Sequence, residues 1–175
     1  MKILITGPDG LIARNLINSL SKNFKVYSIS NKKLINKQKI IKNFIYNYDY
    51  LKLKKFITII KPNIVVHLAT KWKKINDGDE KSLIDSNIIF STYLIEICSK
   101  LKLKIFINAS SYTQINENGI YKPFNFYSTS KYVFEKILYH YYLNSNFKII
   151  NLRIMNVYGS INDNRIVNYI FNNIK

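Results

Sequence analysis

The chain has 175 residues, 47% of them hydrophobic, a formal net charge of +17 and an isoelectric point near 9.8. That length supports one domain with a real core, and no run of about eighteen apolar residues marks a membrane span. The lone Cys98 and two histidines exclude an internal disulfide and a His/Cys metal cluster.

The first thirteen residues carry the strongest signal. An apolar strand, Lys2 to Thr6, breaks into Gly7-Pro8-Asp9-Gly10-Leu11-Ile12-Ala13. Two of the chain's five glycines thus stand three residues apart where a strand turns into a helix. Such a turn aims orphan backbone N–H groups and the positive end of a helix dipole at one point, which suits a pyrophosphate. Gly7 permits the tight turn, Gly10 a close backbone approach, and Ala13 close packing of helix on strand. The spacing is G-x-x-G-x-x-A, one residue longer than the G-x-G-x-x-G fingerprint. The alternative is an ordinary strand-to-helix turn.

Beyond this turn, β-rich runs and helical patterns alternate. A helix is predicted from Leu11 to Ser21, then strands from Phe24 to Ile29 and Phe44 to Asn47. A helix from Tyr50 to Ile60 follows, then a strand from Ile64 to Leu68, a helix from Lys81 to Leu101 and a strand from Lys104 to Ala109. The last elements are a helix from Tyr127 to Leu143, a strand from Lys148 to Leu152, and a helix from about Arg165 onward. Ile64-Val65-Val66 and Ile105-Phe106-Ile107 are apolar without alternation, as expected where helices cover both faces of a parallel sheet. The alternation predicts an α/β, doubly wound, Rossmann-like sheet as one domain over 1–175. The final apolar rhythm runs to Lys175 without a cap, which reads as C-terminal truncation of something longer. No charged region leads into an apolar stretch at the N-terminus, so the chain reads as cytoplasmic, with Cys98 a core thiol.

The positive charge would ordinarily indicate a nucleic-acid partner. Lysines gather at Lys32, Lys33, Lys37, Lys39 and Lys42, and again at Lys52, Lys54 and Lys55. The chain is rich in Lys, Asn, Ile and Tyr throughout, however, and holds three arginines. That pattern reads as a composition bias with solvated lysines, so neither nucleic acid nor membrane is expected as the main partner.

Tyr127-Ser128-Thr129-Ser130-Lys131 is the candidate for catalysis. Residues four apart share a helix face, so the Lys131 ammonium can stand beside the Tyr127 phenol and lower its pKa. The pair would make Tyr127 a general acid/base. Tyr and Lys at this spacing are common by chance, with about two pairs expected and four found: Tyr48/Lys52, Tyr50/Lys54, Tyr127/Lys131 and Tyr132/Lys136. Context separates them. Only Tyr127 opens the helix after the fifth strand, which ends in Ala109-Ser110-Ser111. In open α/β sheets ligands bind outside the carboxyl ends of the strands, where Ser110, Ser111 and Tyr127 would meet the Gly7 turn. A serine hydroxyl there can bind a reacting oxygen, although the two serines could also merely start a polar loop.

Taken together, the motifs resemble the extended branch of the short-chain dehydrogenase/reductases, the NAD(P)-dependent sugar-nucleotide epimerases, dehydratases and reductases. The matching stretches are Thr6-Gly7 through Ala13, Asp49, Val65-Val66-His67-Leu68-Ala69, Asn87, Phe106 to Ser111, Tyr127 to Lys131, and Leu152 to Gly159. The resemblance implies Tyr127 as the proton-transfer residue, Lys131 on the nicotinamide ribose and depressing the tyrosine pKa, and Ser111 on a sugar oxygen. It implies a cofactor bound by Gly7, Gly10, Leu11 and Ile12 at the turn, and by Ser30, Asn31 and Lys32 after the second strand. Asp49, beside Tyr50, would accept from the adenine amino group, while Leu68, Ala69 and Thr70 would pass beside the cofactor. Asn87 would support Lys131 through water, and Ser110 and Val157 would also line the cofactor site. Tyr112 and Asn156 would face the substrate with Ser111. His67 is expected only to pack.

The second strand ends in Ser30-Asn31-Lys32-Lys33, without the carboxylate that would bind a ribose 2′-OH, which favours NADP over NAD. Tyr112, Thr113 and Gln114 offer no acid after Ser111, which disfavours dehydration and leaves a 4-keto reductase or epimerase of a nucleotide-linked hexose. The alternatives are an inactive cofactor-binding module or fragment, and a basic nucleic-acid-binding protein. The resemblance further implies a homodimer built on the two long helices, and a substrate-binding C-terminal lobe that this sequence lacks.

Overall fold

The computed structural model describes residues 1–35, 39–72 and 79–157. Its strands are β1 (Lys2–Thr6), β2 (Lys25–Ser30), β3 (Lys42–Ile45), β4 (Ile64–His67), β5 (Ile105–Ser111) and β6 (Lys148–Ile154). All pair in parallel in the order β3-β2-β1-β4-β5-β6. This is the doubly wound order, with its switch point between β1 and β4.

The helices are α1 (Leu11–Leu20), α2 (Tyr50–Ile60), α3 (Glu80–Ile84), α4 (Phe90–Ser99) and α5 (Phe126–Asn144). Period-two alternation in the strands feeds two apolar layers. Leu4, Val65 and Phe106 pack with Leu53 and Ile57 of α2, Leu94 of α4 and Phe134 of α5. Ile3, Ile5, Val26 and Val66 point the other way, onto Ala13 and Ile17 of α1. Cys98 is a buried thiol whose pKa burial pushes up.

Several boundaries differ from the sequence expectation. β2 begins and ends one residue later than predicted. β3 spans Lys42–Ile45 instead of Phe44 to Asn47, because register opposite Tyr27 to Ser30 starts at Lys42. The helix predicted from Lys81 to Leu101 is Glu80–Ser99 broken by a π-helical turn at Asp85–Ile89. Such a turn leaves little trace in apolar spacing, yet it is where functional side chains often stand. The helix predicted beyond Arg165, with Tyr158 and Gly159, lies outside the described residues.

One hydroxyl ties the switch point together. Thr6 Oγ1 accepts from the amides of Leu68 at 3.1 Å and Ala69 at 2.9 Å, so its own proton goes to His67 Nδ1 at 2.8 Å. His67 Nε2 therefore carries the ring proton and donates to Ser91 Oγ, 2.8 Å away on α4. Burial drives the His67 pKa down to about 3, helped by the Lys131 ammonium, so the ring is neutral. Beyond packing, His67 thus bonds β1 to α4.

Thr6→Val keeps the shape and strands two amides and a ring nitrogen. We expect a loss of about 2–3 kcal/mol in urea unfolding, with Thr6→Ser within about 1 kcal/mol of the parent. A Thr6→Val midpoint equal to the parent's would remove this hydroxyl from the account.

Candidate active site

At the β1–α1 turn Gly7 is required on two counts. Its φ is +69°, and an added Cβ would stand 2.9 Å from the Ala69 Cα. The Gly7 amide donates to Ile29 O and the Gly10 amide to Gly7 O, folding the turn tightly against β2. Gly10 then caps α1 with no side chain, leaving the first-turn amides facing outward.

Two cavities meet at Gly7. The larger, of about 930 Å³, runs past Gly10, Leu11 and Ile12 to the ends of β5 and β6. Leu68, Thr70, Ser110, Ser111 and Tyr112 line it, as do Tyr127, Lys131, Asn156 and Val157. The smaller, of about 150 Å³, lies on the β2 side, with Ser30, Asn31 and Ala69 in its wall. The two cavities flank the glycine turn, one beside β2 and the other beside α5, at the switch point where open α/β sheets take their ligands.

The geometry separates the four Tyr/Lys pairs. Tyr127 and Lys131 both line the large cavity. Tyr132 instead stacks on Tyr121 at 3.9 Å, with Lys136 over its ring, and Tyr50 donates to Glu96. Lys52 pairs with Asp49, which caps α2 by accepting from the Lys52 amide. Neither Tyr50 nor Asp49 lines either of the two cavities. Asp49, expected on the adenine amino group, caps α2 with its Oδ1.

The structure places three other expected cofactor residues as follows. The Ser30 hydroxyl donates to Lys32 O and accepts from Asn43, so its proton is committed inside the protein. Lys32 is exposed and lines neither cavity. Asn87, buried on the π turn, holds the chain rather than Lys131. Its Oδ1 accepts from the Lys71 amide and Thr70 Oγ1, while its Nδ2 donates to Lys71 O and Ser130 Oγ. Ser130 in turn donates to Tyr127 O, so Asn87 clamps the end of β4 to the turn of α5 that carries Tyr127.

The electrostatics also depart from the simple pairing. Burial pushes the Tyr127 phenol above its usual value, and an interaction with Thr70 acts the other way. Lys131 is not among the influences on it. Lys131 itself is buried, and desolvation lowers its pKa to about 8 against the opposing pull of Glu135. Without a bound ligand the tyrosine is neutral and the lysine titrates near physiological pH.

Sequence reasoning missed the residues that hold Ser111. Thr113 Oγ1 lies 2.8 Å from Ser111 Oγ and 2.7 Å from Ser128 Oγ, and Ser128 bonds to Asn125, the cap of α5. Asn125 immediately before a helical run was a readable cap signal. Glu135 was missed as well: it accepts from Ser110 and Arg153, and Gln114 donates to Ser110. Among the described residues no three His, Cys, Asp or Glu side chains stand together as metal ligands. No helix among them is long and apolar enough to cross a membrane.

This architecture has many relatives, and the chain belongs to the NAD dependent epimerase/dehydratase family, which it matches over residues 3–175. It is 30% identical over 192 aligned residues to a dTDP-D-glucose 4,6-dehydratase of Dictyostelium discoideum, covering 90% of this chain and 44% of that protein. The UDP-glucose 4-epimerase of Thermotoga maritima, solved with UDP-glucose, superposes with a TM-score of 0.84 at 27% identity, over 93% of this chain and 58% of that one. The UDP-glucuronic acid 4-epimerase of Bacillus cereus, solved with NAD, gives 0.72 at 25% identity, over 87% and 56%. The chain spans about half the length of the curated relatives it matches.

Lys131 gives the site a pH signature. Its folded pKa, about 8, lies below the unfolded value of 10.5. Below pH 8 the charge is buried in full and opposes folding; between about 8 and 10.5 the unfolded chain binds more protons, so stability rises with pH. We expect Lys131→Met to be more stable than the parent near pH 7, with the advantage shrinking across that window. A difference independent of pH in paired urea titrations would contradict the buried ammonium.

Proposed function

We propose that this chain carries the cofactor-binding and proton-transfer machinery of an NAD(P)-dependent oxidoreductase or epimerase acting on a nucleotide-linked hexose, a 4-keto reductase or 4-epimerase before a dehydratase. The observation that supports it most is the placement of Tyr127, Lys131 and Ser111 around one cavity that continues to the Gly7 turn. A bound nicotinamide would supply hydride transfer, and the residues fit such a cofactor. The glycine turn offers backbone amides to the pyrophosphate, and the buried Lys131 ammonium suits a ribose hydroxyl. Tyr127 holds the proton exchanged with the sugar oxygen, and a cation brought closer to it on ligand binding would favour the phenolate. Ser111 faces the same space and binds the reacting oxygen.

Dehydration ranks lower because Tyr112, Thr113 and Gln114 bring no carboxylate after Ser111, while Glu135 is engaged by Ser110 and Arg153. We further propose a homodimer through the long helices. Tyr139 and Tyr142 of α5 and Ile89 of the π turn are large and exposed there.

The decisive measurement is conversion of a nucleotide-linked 4-ketohexose with reduced cofactor, or of a hexose to its 4-epimer. Tyr127→Phe should keep cofactor affinity and lose turnover by about 10²- to 10⁴-fold. Tyr132→Phe should leave turnover intact. A damaging Tyr132→Phe beside a harmless Tyr127→Phe would overturn the assignment.

Preference for NADP belongs to the same reading. The end of β2 offers no carboxylate to repel a 2′-phosphate, and with the Ser30 proton committed, Asn31 and the lysines at 32 and 33 remain as donors. NADPH should bind about tenfold more tightly than NADH at low salt, the gap narrowing as salt screens exposed lysines. Equal affinities at low salt would assign the site to NAD.

A further inference from the structure

Tyr48 is the one aromatic among the described residues that stands in the left-handed backbone region, at φ 67°. That conformation is strained for a bulky L residue. Burial does not compensate for it, since the residue is 69% exposed. It nevertheless lines the small cavity beside β2. Strain held without packing, at the rim of a cavity, marks a conformation kept for a ligand.

The surroundings define the ligand's shape. Behind Tyr48 the cavity wall is aromatic: the Tyr46 ring lies 5.6 Å from Tyr48 and 4.8 Å from Phe90. The floor is Gly7, Ile29 and Ala69. A volume of about 150 Å³ between apolar floor and aromatic wall suits one flat heteroaromatic base. One carboxylate lines it, Asp85, whose Oδ2 accepts from Lys81. Asp49, the carboxylate expected here from the sequence, is held as the cap of α2.

We propose that Tyr48 is a specificity-determining residue whose ring closes over the adenine of the cofactor. This rests on the cofactor reading above. It assigns adenine recognition to an exposed, strained tyrosine at the mouth of the small cavity.

The test uses the full chain, ADP-ribose as probe, and calorimetry alongside thermal unfolding. Tyr48→Gly and Tyr48→Asn both remove the ring and both accept positive φ. Each should bind ADP-ribose about tenfold more weakly, as loss of one base-stacking ring predicts, while melting no lower than the parent because strain is relieved. Tyr48→Phe should keep affinity within about twofold. Affinity and stability falling together would show a structural role and overturn the proposal. Unchanged affinity in both ring-less variants would overturn it while leaving the cofactor reading intact. A parent chain that binds neither ADP-ribose nor NADPH would bring down both.

Discussion

The Thr6 hydroxyl is the contact on which the rest of the site depends. By accepting from two consecutive amides it draws the end of β4 against the end of β1, so closely that Ala69 lies where a Gly7 side chain would be. Gly7 is therefore fixed by this crowding as much as by its positive φ. The same hydroxyl sets the His67 tautomer, and through Ser91 it reaches the carbonyl of Ser86 on the π turn. The next residue, Asn87, holds Thr70 and Lys71 on one side and Ser130 on the other. A continuous series of buried polar bonds thus runs from the glycine turn to the helix turn of Tyr127. Each member is satisfied by the next, which is the condition under which a buried polar network rigidifies a core.

This explains why a buried lysine is tolerated. Lys131 costs stability where it is charged and fully desolvated. The frame around it is fixed by bonds that do not involve its ammonium, so the site can hold an expensive charge without collapsing onto it. Burial raises the neighbouring Tyr127 phenol, with Thr70 opposing it. The helix spacing sets Tyr127 and Lys131 one turn apart on α5, where both line the large cavity. The +17 net charge is a separate matter, carried largely by exposed lysines such as Lys32, Lys52 and Lys81.

Much of the architecture was legible in the sequence because it rests on local signals. The glycine turn, the two-sided apolar runs at Val65–Val66 and Ile105–Phe106, and the helix opening near Tyr127 all follow from backbone preference and burial. Tyr127 could be singled out from three decoys only because chain order placed it after the fifth strand. What was not legible depends on competition for the same atoms. Asp49 was read as an adenine contact, and its role as the cap of α2, where four amides need partners, was not drawn from the same sequence. Ser30 looks like a free donor until the turn after β2 brings the Lys32 carbonyl within its reach. The π turn shifts every later side chain of its helix without disturbing the apolar rhythm, so the role of Asn87 was invisible.

The hydroxyls around Ser111 show how such competition bears on chemistry. Asn125 Oδ1 can only accept, so the Ser128 proton points to it, which makes Ser128 an acceptor for Thr113. Thr113 is then the acceptor for Ser111, and the Ser111 proton is turned inward. For Ser111 to donate to an oxygen in the cavity, all three protons must reverse: Thr113 toward Ser111, and Ser128 toward Thr113. Asn125 Oδ1 keeps the Ser128 amide throughout, so the reversal leaves no buried acceptor stranded. Rotating three hydroxyls within an intact chain of bonds needs no backbone movement. The readiness of Ser111 to stabilise developing negative charge is therefore set by residues one and two steps behind it.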